Sequence, residues 1–177
     1  QSLIPNPPQL TATSYLLLDA KTLKIISENN AEQSTGLASI TKIMTAYVVA
    51  DQIQKGYLSG SSLVKISEKC WRMEGSRMFI KEGTEVSVSD LMLGIIVQSG
   101  NDASCALAEH IAGSEYDFAE LMNDYARQMN LEETNFMNPT GLPDVNHYST
   151  AEDIAKLSIK LIQDFPETYK IFSQKEF

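Results

Sequence analysis

The stretch from Ser39 to Lys55 constrains this chain more than any other. Ile40, Ile43, Met44, Tyr47, Val48, Val49 and Ile53 would cover most of the circumference of a helix over these residues. A helix that is apolar nearly all round has no face to offer water, so it has to sit at the centre of a larger fold. Gly56 is its natural stop, because helices often end on a left-handed residue that Gly adopts without steric cost. The remaining sequence must supply the shell around this helix.

That shell reads as follows. Gln1 to Leu10 holds three of the six prolines and reads as an extended lead-in. Ser14–Asp19 and Leu23–Glu28 are short Leu- and Ile-rich runs around Ala20-Lys21-Thr22, the pattern of a β-hairpin. Leu58 to Lys81 is irregular with short extended pieces, and Glu74-Gly75-Ser76 marks a turn. Ser87 with Asp90, Ser114 with Asp117, and Ser149 with Glu152 are capping patterns, and each opens a helix. The first leads into Leu91–Val97. The second leads into a helix with Phe118, Leu121, Met122, Tyr125 and Met129 on one face. The third carries Ile154, Leu157, Leu161 and Ile162. Asp102 to Ala112 forms a further helix ending at Gly113, and Pro166 starts a short last one. Asn135 to Tyr148 reads as loop.

The chain has 177 residues and a formal charge of -9. That length fits one domain or most of one. The acidic balance argues against nucleic acid, whose phosphate backbone demands basic patches. The longest apolar run, Leu91 to Val97, falls far short of the roughly 20 residues that span a bilayer. Cys70 and Cys105 form neither a disulfide framework nor a metal knuckle, and we expect free thiols, one of them buried in a helix. His110 and His147 lack any metal-ligand spacing and read as satisfied surface or core residues, so no metal or other cofactor is expected.

Two short segments carry candidate chemistry. Ser39 and Lys42 stand at i and i+3, which places them on one helix face a turn apart. Serine is a weak nucleophile until a base takes its proton. Lysine can be that base only when neutral, which costs about 4.6 kcal/mol at pH 7 from its reference pKa. Burial against the apolar helix lowers that cost. In Ser99-Gly100-Asn101, an unusual backbone conformation at Gly100 would point both side chains the same way. Ser99 is then placed to relay a proton, and Asn101 to bond both a lysine and a substrate carbonyl. Taken alone, each segment has a plainer reading: a capping serine with a surface lysine, and a helix–helix linker with Asp102 as the next cap.

Together, Ala38-Ser39-Ile40-Thr41-Lys42-Ile43-Met44-Thr45 and Ile96-Val97-Gln98-Ser99-Gly100-Asn101-Asp102-Ala103 resemble the D-alanyl-D-alanine carboxypeptidases, the low-molecular-mass penicillin-binding proteins. Gly75–Phe79, Phe136–Leu142 and Tyr148–Asp153 look like further segments of that family in the right order. The resemblance covers residues 12–177. It implies an α+β, β-lactamase/transpeptidase-like fold, with a helical cluster packed on an antiparallel sheet. This chain would hold only the N-terminal hairpin of that sheet, and 12–177 would be the mostly helical part of the catalytic domain, after a lead-in over 1–11. It also implies roles. Ser39 attacks the carbonyl between the last two D-alanines of a peptidoglycan stem peptide, with Lys42 as general base. Ser99 and Asn101 shuttle a proton and hold substrate. β-Lactams acylate the same serine. The site would lie in the periplasm, on the outer face of the cytoplasmic membrane, and Gln1 in place of Met fits a processed or trimmed chain.

The family's third motif, Lys-Thr-Gly or Lys-Ser-Gly on a later strand, is absent, and so are a C-terminal β-rich domain and a membrane anchor. Lys21-Thr22-Leu23 lacks the glycine and precedes the nucleophile. A lone hairpin is marginal in water, so the missing strands are expected from a second chain or another segment. A serine β-lactamase of similar fold and a catalytically inert fragment are the alternatives. Glu132-Glu133-Thr134-Asn135 weakly resembles a water-positioning segment of β-lactamases, but a solvated turn is the better reading.

Overall fold

A computed structural model describes residues 9–177. Most of the lead-in, residues 1–8, lies outside the described residues. The hairpin forms as expected, with β1 (Tyr15–Leu18) antiparallel to β2 (Ile25–Asn29). Its turn is organised by Asp19, whose Oδ1 accepts from the backbone N–H groups of Lys21 and Thr22 at 3.0 and 2.7 Å.

The central helix begins later than its sequence suggests. Ala38–Thr41 is a 3₁₀ turn, and helix α1 runs from Lys42 to Gln54. Met44, Ala46, Val48 and Val49 are fully buried, and α1 packs against four later helices. Ile40 departs from the expected core, because the 3₁₀ turn rotates it outward. It is 50% exposed and lines a groove between β1 and α6.

Leu58 to Ser87 contains more structure than its composition signals. β3 (Leu63–Lys65) pairs antiparallel with β4 (Glu85–Ser87), and α2 (Glu68–Trp71) lies between them. These strands are three residues each, too short for a visible alternation. Next come α3 (Val88–Val97), α4 (Asn101–Ala112), α5 (Glu115–Gln128), α6 (Ala151–Asp164) and α7 (Pro166–Ile171). Ser87 and Ser114 cap α3 and α5 by accepting from the N–H groups of Asp90 and Asp117. The cap of α6 is Thr150 rather than Ser149, and it accepts from Asp153 N–H at 3.1 Å. Ser149 is instead buried, and its backbone pairs with Thr35.

The cysteines correct a second expectation. Cys70 and Cys105 form a disulfide with Cα atoms 5.3 Å apart, a separation a disulfide spans readily. It fastens α2 to α4, and both cysteines are fully buried. Thirty-five residues separate the two in sequence, so only the return of the β3–β4 excursion onto α4 brings them together.

The whole is α+β, with helices packed around α1 and two small antiparallel sheets. Among the described residues β1 and β2 pair only with each other, so no further strand within 9–177 completes the expected larger sheet. No helix among them is long and apolar enough to cross a membrane.

Candidate active site

Ser39 lies in the exposed 3₁₀ turn ahead of α1, and Lys42 is the first residue of the helix proper, 4% exposed. The i, i+3 spacing brings them together, with Lys42 Nζ 3.3 Å from Ser39 Oγ. The same ammonium donates to Asn101 Oδ1 at 2.8 Å and to the Thr140 carbonyl at 2.7 Å. Asn101 cannot be turned the other way, because its Nδ2 donates to the Glu74 carbonyl at 2.7 Å. Burial pushes the Lys42 pKa down to about 8, since an ammonium in a dry site loses hydration that neutral amide oxygens replace only in part.

These partners dictate what a neutral Lys42 does. A free amine has two N–H donors and one lone pair. The Thr140 carbonyl and Asn101 Oδ1 can only accept, so they take the two donors. The lone pair is left for the one partner that carries a proton, the Ser39 hydroxyl. Chemically, this arrangement can serve as a nucleophile next to a base, with the amine held by two fixed acceptors.

Ser99 is less directly engaged. It is half-buried, and its hydroxyl makes no hydrogen bond to Ser39, Lys42 or Asn101. The unusual backbone conformation falls on Ser99, at φ 55°, not on Gly100, which is extended at φ -66°. Gly100 is there for space. A Cβ on it would come 2.9 Å from Asp102 Oδ1 and 3.2 Å from the Gly94 carbonyl.

Two contributions escaped the sequence reading. One is the Thr140 carbonyl, a backbone group that any residue type would offer. The other is Asp102, which is not the cap of α4, since Gly100 holds that position. The Asp102 carboxylate is fully buried and accepts from the N–H groups of Met78, Phe79 and Ile80 at 3.0, 2.9 and 3.3 Å. The preceding segment is held in turn by Asn101 N–H, which donates to the Ser76 carbonyl at 2.7 Å. Asn101 and Asp102 thus fasten residues 74–80 beside Lys42.

The other tempting residues fall outside this cluster. His110 is exposed. His147 is buried and fully hydrogen-bonded, as a core histidine should be. Glu132 and Glu133 are exposed turn residues.

A family model described as D-alanyl-D-alanine carboxypeptidase matches residues 1–177. The chain belongs to the D-alanyl-D-alanine carboxypeptidase family. It is 45% identical over 175 residues to D-alanyl-D-alanine carboxypeptidase DacA of Haemophilus influenzae, covering 97% of this chain and 44% of that protein. Its fold matches a crystal structure of penicillin binding protein 5 from Haemophilus influenzae with a TM-score of 0.94 and 45% identity, over 98% of this chain and 51% of that one. The carboxypeptidase DacD of Francisella tularensis matches with a TM-score of 0.92 and 42% identity, over 97% of this chain and 42% of that one. The chain therefore spans about half or less of the length of these relatives.

Proposed function

We propose that this chain carries the nucleophile and base of a serine-type D-Ala-D-Ala carboxypeptidase acting on peptidoglycan stem peptides, and that β-lactams acylate it. The single observation that carries the reading is the set of contacts at Lys42 Nζ: two pure acceptors and one hydroxyl. In this mechanism Ser39 Oγ bonds to the carbonyl carbon between the two terminal D-alanines, and its proton passes to Lys42. The C–N bond breaks, and the departing D-alanine nitrogen takes a proton, relayed through Ser99. Water then cleaves the Ser39 ester with Lys42 again as base. Asn101 holds Lys42 in place and offers its amide edge to the substrate.

The reading places the site outside the cytoplasm, in the periplasm. The Cys70–Cys105 disulfide supports this, because such bonds persist in oxidising compartments. In the same reading the strands that widen the β1–β2 sheet come from outside residues 9–177. Leu17, Ile25 and Ile26, apolar yet exposed on the hairpin, support it.

The test is labelling with a fluorescent penicillin, followed by peptide mass spectrometry. A stable adduct on Ser39, absent in Ser39→Ala, is the expected result. Fast turnover of the adduct would indicate a β-lactamase instead. No adduct on the complete gene product would overturn the reading.

A further inference from the structure

The nucleophile turn is gripped by one distant loop. Thr41, Lys42 and Thr45 reach from the 3₁₀ turn and α1 to residues 139–147. Thr45 Oγ1 donates to the Pro139 carbonyl at 2.7 Å, and Lys42 donates to the Thr140 carbonyl. Thr41 Oγ1 meets His147 Nε2 at 2.6 Å. The first two grips end on backbone carbonyls. Only the third depends on a loop side chain.

The geometry fixes the state of that side chain. His147 Nδ1 lies 2.9 Å from Met137 N–H, which can only donate. Nδ1 must therefore be the bare nitrogen, and Nε2 carries the proton. The ring is 4% exposed and set edge-on to Phe136, with centroids 5.8 Å apart. Its Nε2–H thus points at Thr41 Oγ1, which is fully buried two residues from Ser39. The turn it holds is under strain. Ala38, the residue just before Ser39, has φ 45°, a conformation that L-residues with a Cβ hold only when their surroundings over-determine it.

We infer that His147 is a positioning residue for the nucleophile: its Nε2–H, donated to Thr41, holds the strained turn that aims Ser39 at Lys42. The inference rests on the proposed acyl-enzyme chemistry. His147 touches neither substrate nor the reacting atoms. It acts through Thr41.

Two substitutions separate the ring's two nitrogens. His147→Gln keeps a donor at the Nε2 position but serves Met137 N–H poorly. His147→Asn keeps an acceptor near Nδ1 but does not reach Thr41. The expected result is crossed. His147→Gln should melt lower than His147→Asn yet acylate within about threefold of the wild type, whereas His147→Asn should acylate about tenfold to a hundredfold more slowly, the range that small misplacements of a reacting group produce. Thr41→Ser and Thr41→Val give a second pair that does not depend on how His147 variants fold. Thr41→Ser keeps the hydroxyl and should react normally, and Thr41→Val should be slowed like His147→Asn. Rates are measured on the complete gene product with fluorescent penicillin. If acylation simply follows melting temperature across the four variants, or is unchanged in all of them, His147 is structural and the inference fails. If the wild type itself takes no label on Ser39, the fault lies in the proposed function instead.

Discussion

Lys42 sits closer to Asn101, at 2.8 Å, than to Ser39, at 3.3 Å. The tighter contact is to a group that can never give up a proton, so the looser one is where proton transfer is free to occur. With Lys42 at about 8, the neutral amine at pH 7 costs about 1 kcal/mol, against about 5 for an unshifted lysine. Acylation should therefore rise with pH and level off above about 8. A penicillin acylation rate measured from pH 5 to 10 checks this, and a limb centred near the ordinary lysine value would show that burial does not lower Lys42 in the working enzyme. Lys42→Ala should slow acylation by about a hundredfold or more.

The same shift has a stability consequence. Lys42 holds its proton less tightly folded than unfolded, where its value is the ordinary 10.5. Between about 8 and 10.5 the unfolded chain binds more protons, so stability contributed at this site rises with pH through that window. Across pH 7 to 10 the urea midpoint of the wild type should rise relative to that of Lys42→Met, which has no titrating group at this site.

Asp102 holds three successive N–H groups on a buried carboxylate. Asp102→Asn replaces one accepting oxygen with an amide NH2 group, itself only a donor, facing those donors. The expected cost is about 1.5–3 kcal/mol, the range for hydrogen bonds to a charged group. Hydrogen exchange at Met78, Phe79 and Ile80 should quicken far more than in α1. Uniform acceleration across the chain would mean that Asp102 supports the whole fold rather than this segment.

The disulfide is checked by thiol titration of the unfolded, unreduced protein, which should find none of the two cysteines free. Cys70→Ala with Cys105→Ala should lower stability by about 2–4 kcal/mol, the usual range for a loop of this size. It should also loosen α2 relative to α4. Unchanged stability would show that packing alone holds the two together.

Local relationships were the legible ones. Ser39 and Lys42 meet because three residues of helical chain bring them together whatever the rest of the molecule does. The capping serines 87 and 114 read correctly for the same reason. Apart from the bond from Lys42 to Asn101, which the Ser99-Gly100-Asn101 segment suggested, longer relationships left no trace in composition or spacing. The Thr140 carbonyl is backbone, so its residue type carries no signal, and the Cys70–Cys105 pairing depends on how the β3–β4 excursion returns. Ser99-Gly100-Asn101 shows a subtler failure. Glycine's freedom suggested a left-handed Gly100, but that residue is small because Asp102 and Gly94 crowd it, and Ser99 takes the left-handed turn.

Gly141 is where conformation and close approach coincide. Its φ is 86°, and a Cβ there would lie 1.8 Å from the Ala38 carbonyl oxygen and 3.0 Å from Thr41 Oγ1. Gly141→Ala therefore meets two penalties. The backbone conformation alone costs about 1–3 kcal/mol. The clash adds to it, and because Ala38 O is backbone it is relieved only by shifting the loop or the turn that carries Ser39. Thr140, one residue earlier, would move its carbonyl away from Lys42 in the same adjustment. The expected phenotype is loss of acylation larger than the loss of stability: a folded protein by circular dichroism that reacts with penicillin at least about tenfold more slowly, since small displacements of a nucleophile cost that much. A Gly141→Ala protein of normal reactivity would show that the loop can retreat from Ala38 without disturbing Ser39, and that the two are not mechanically linked.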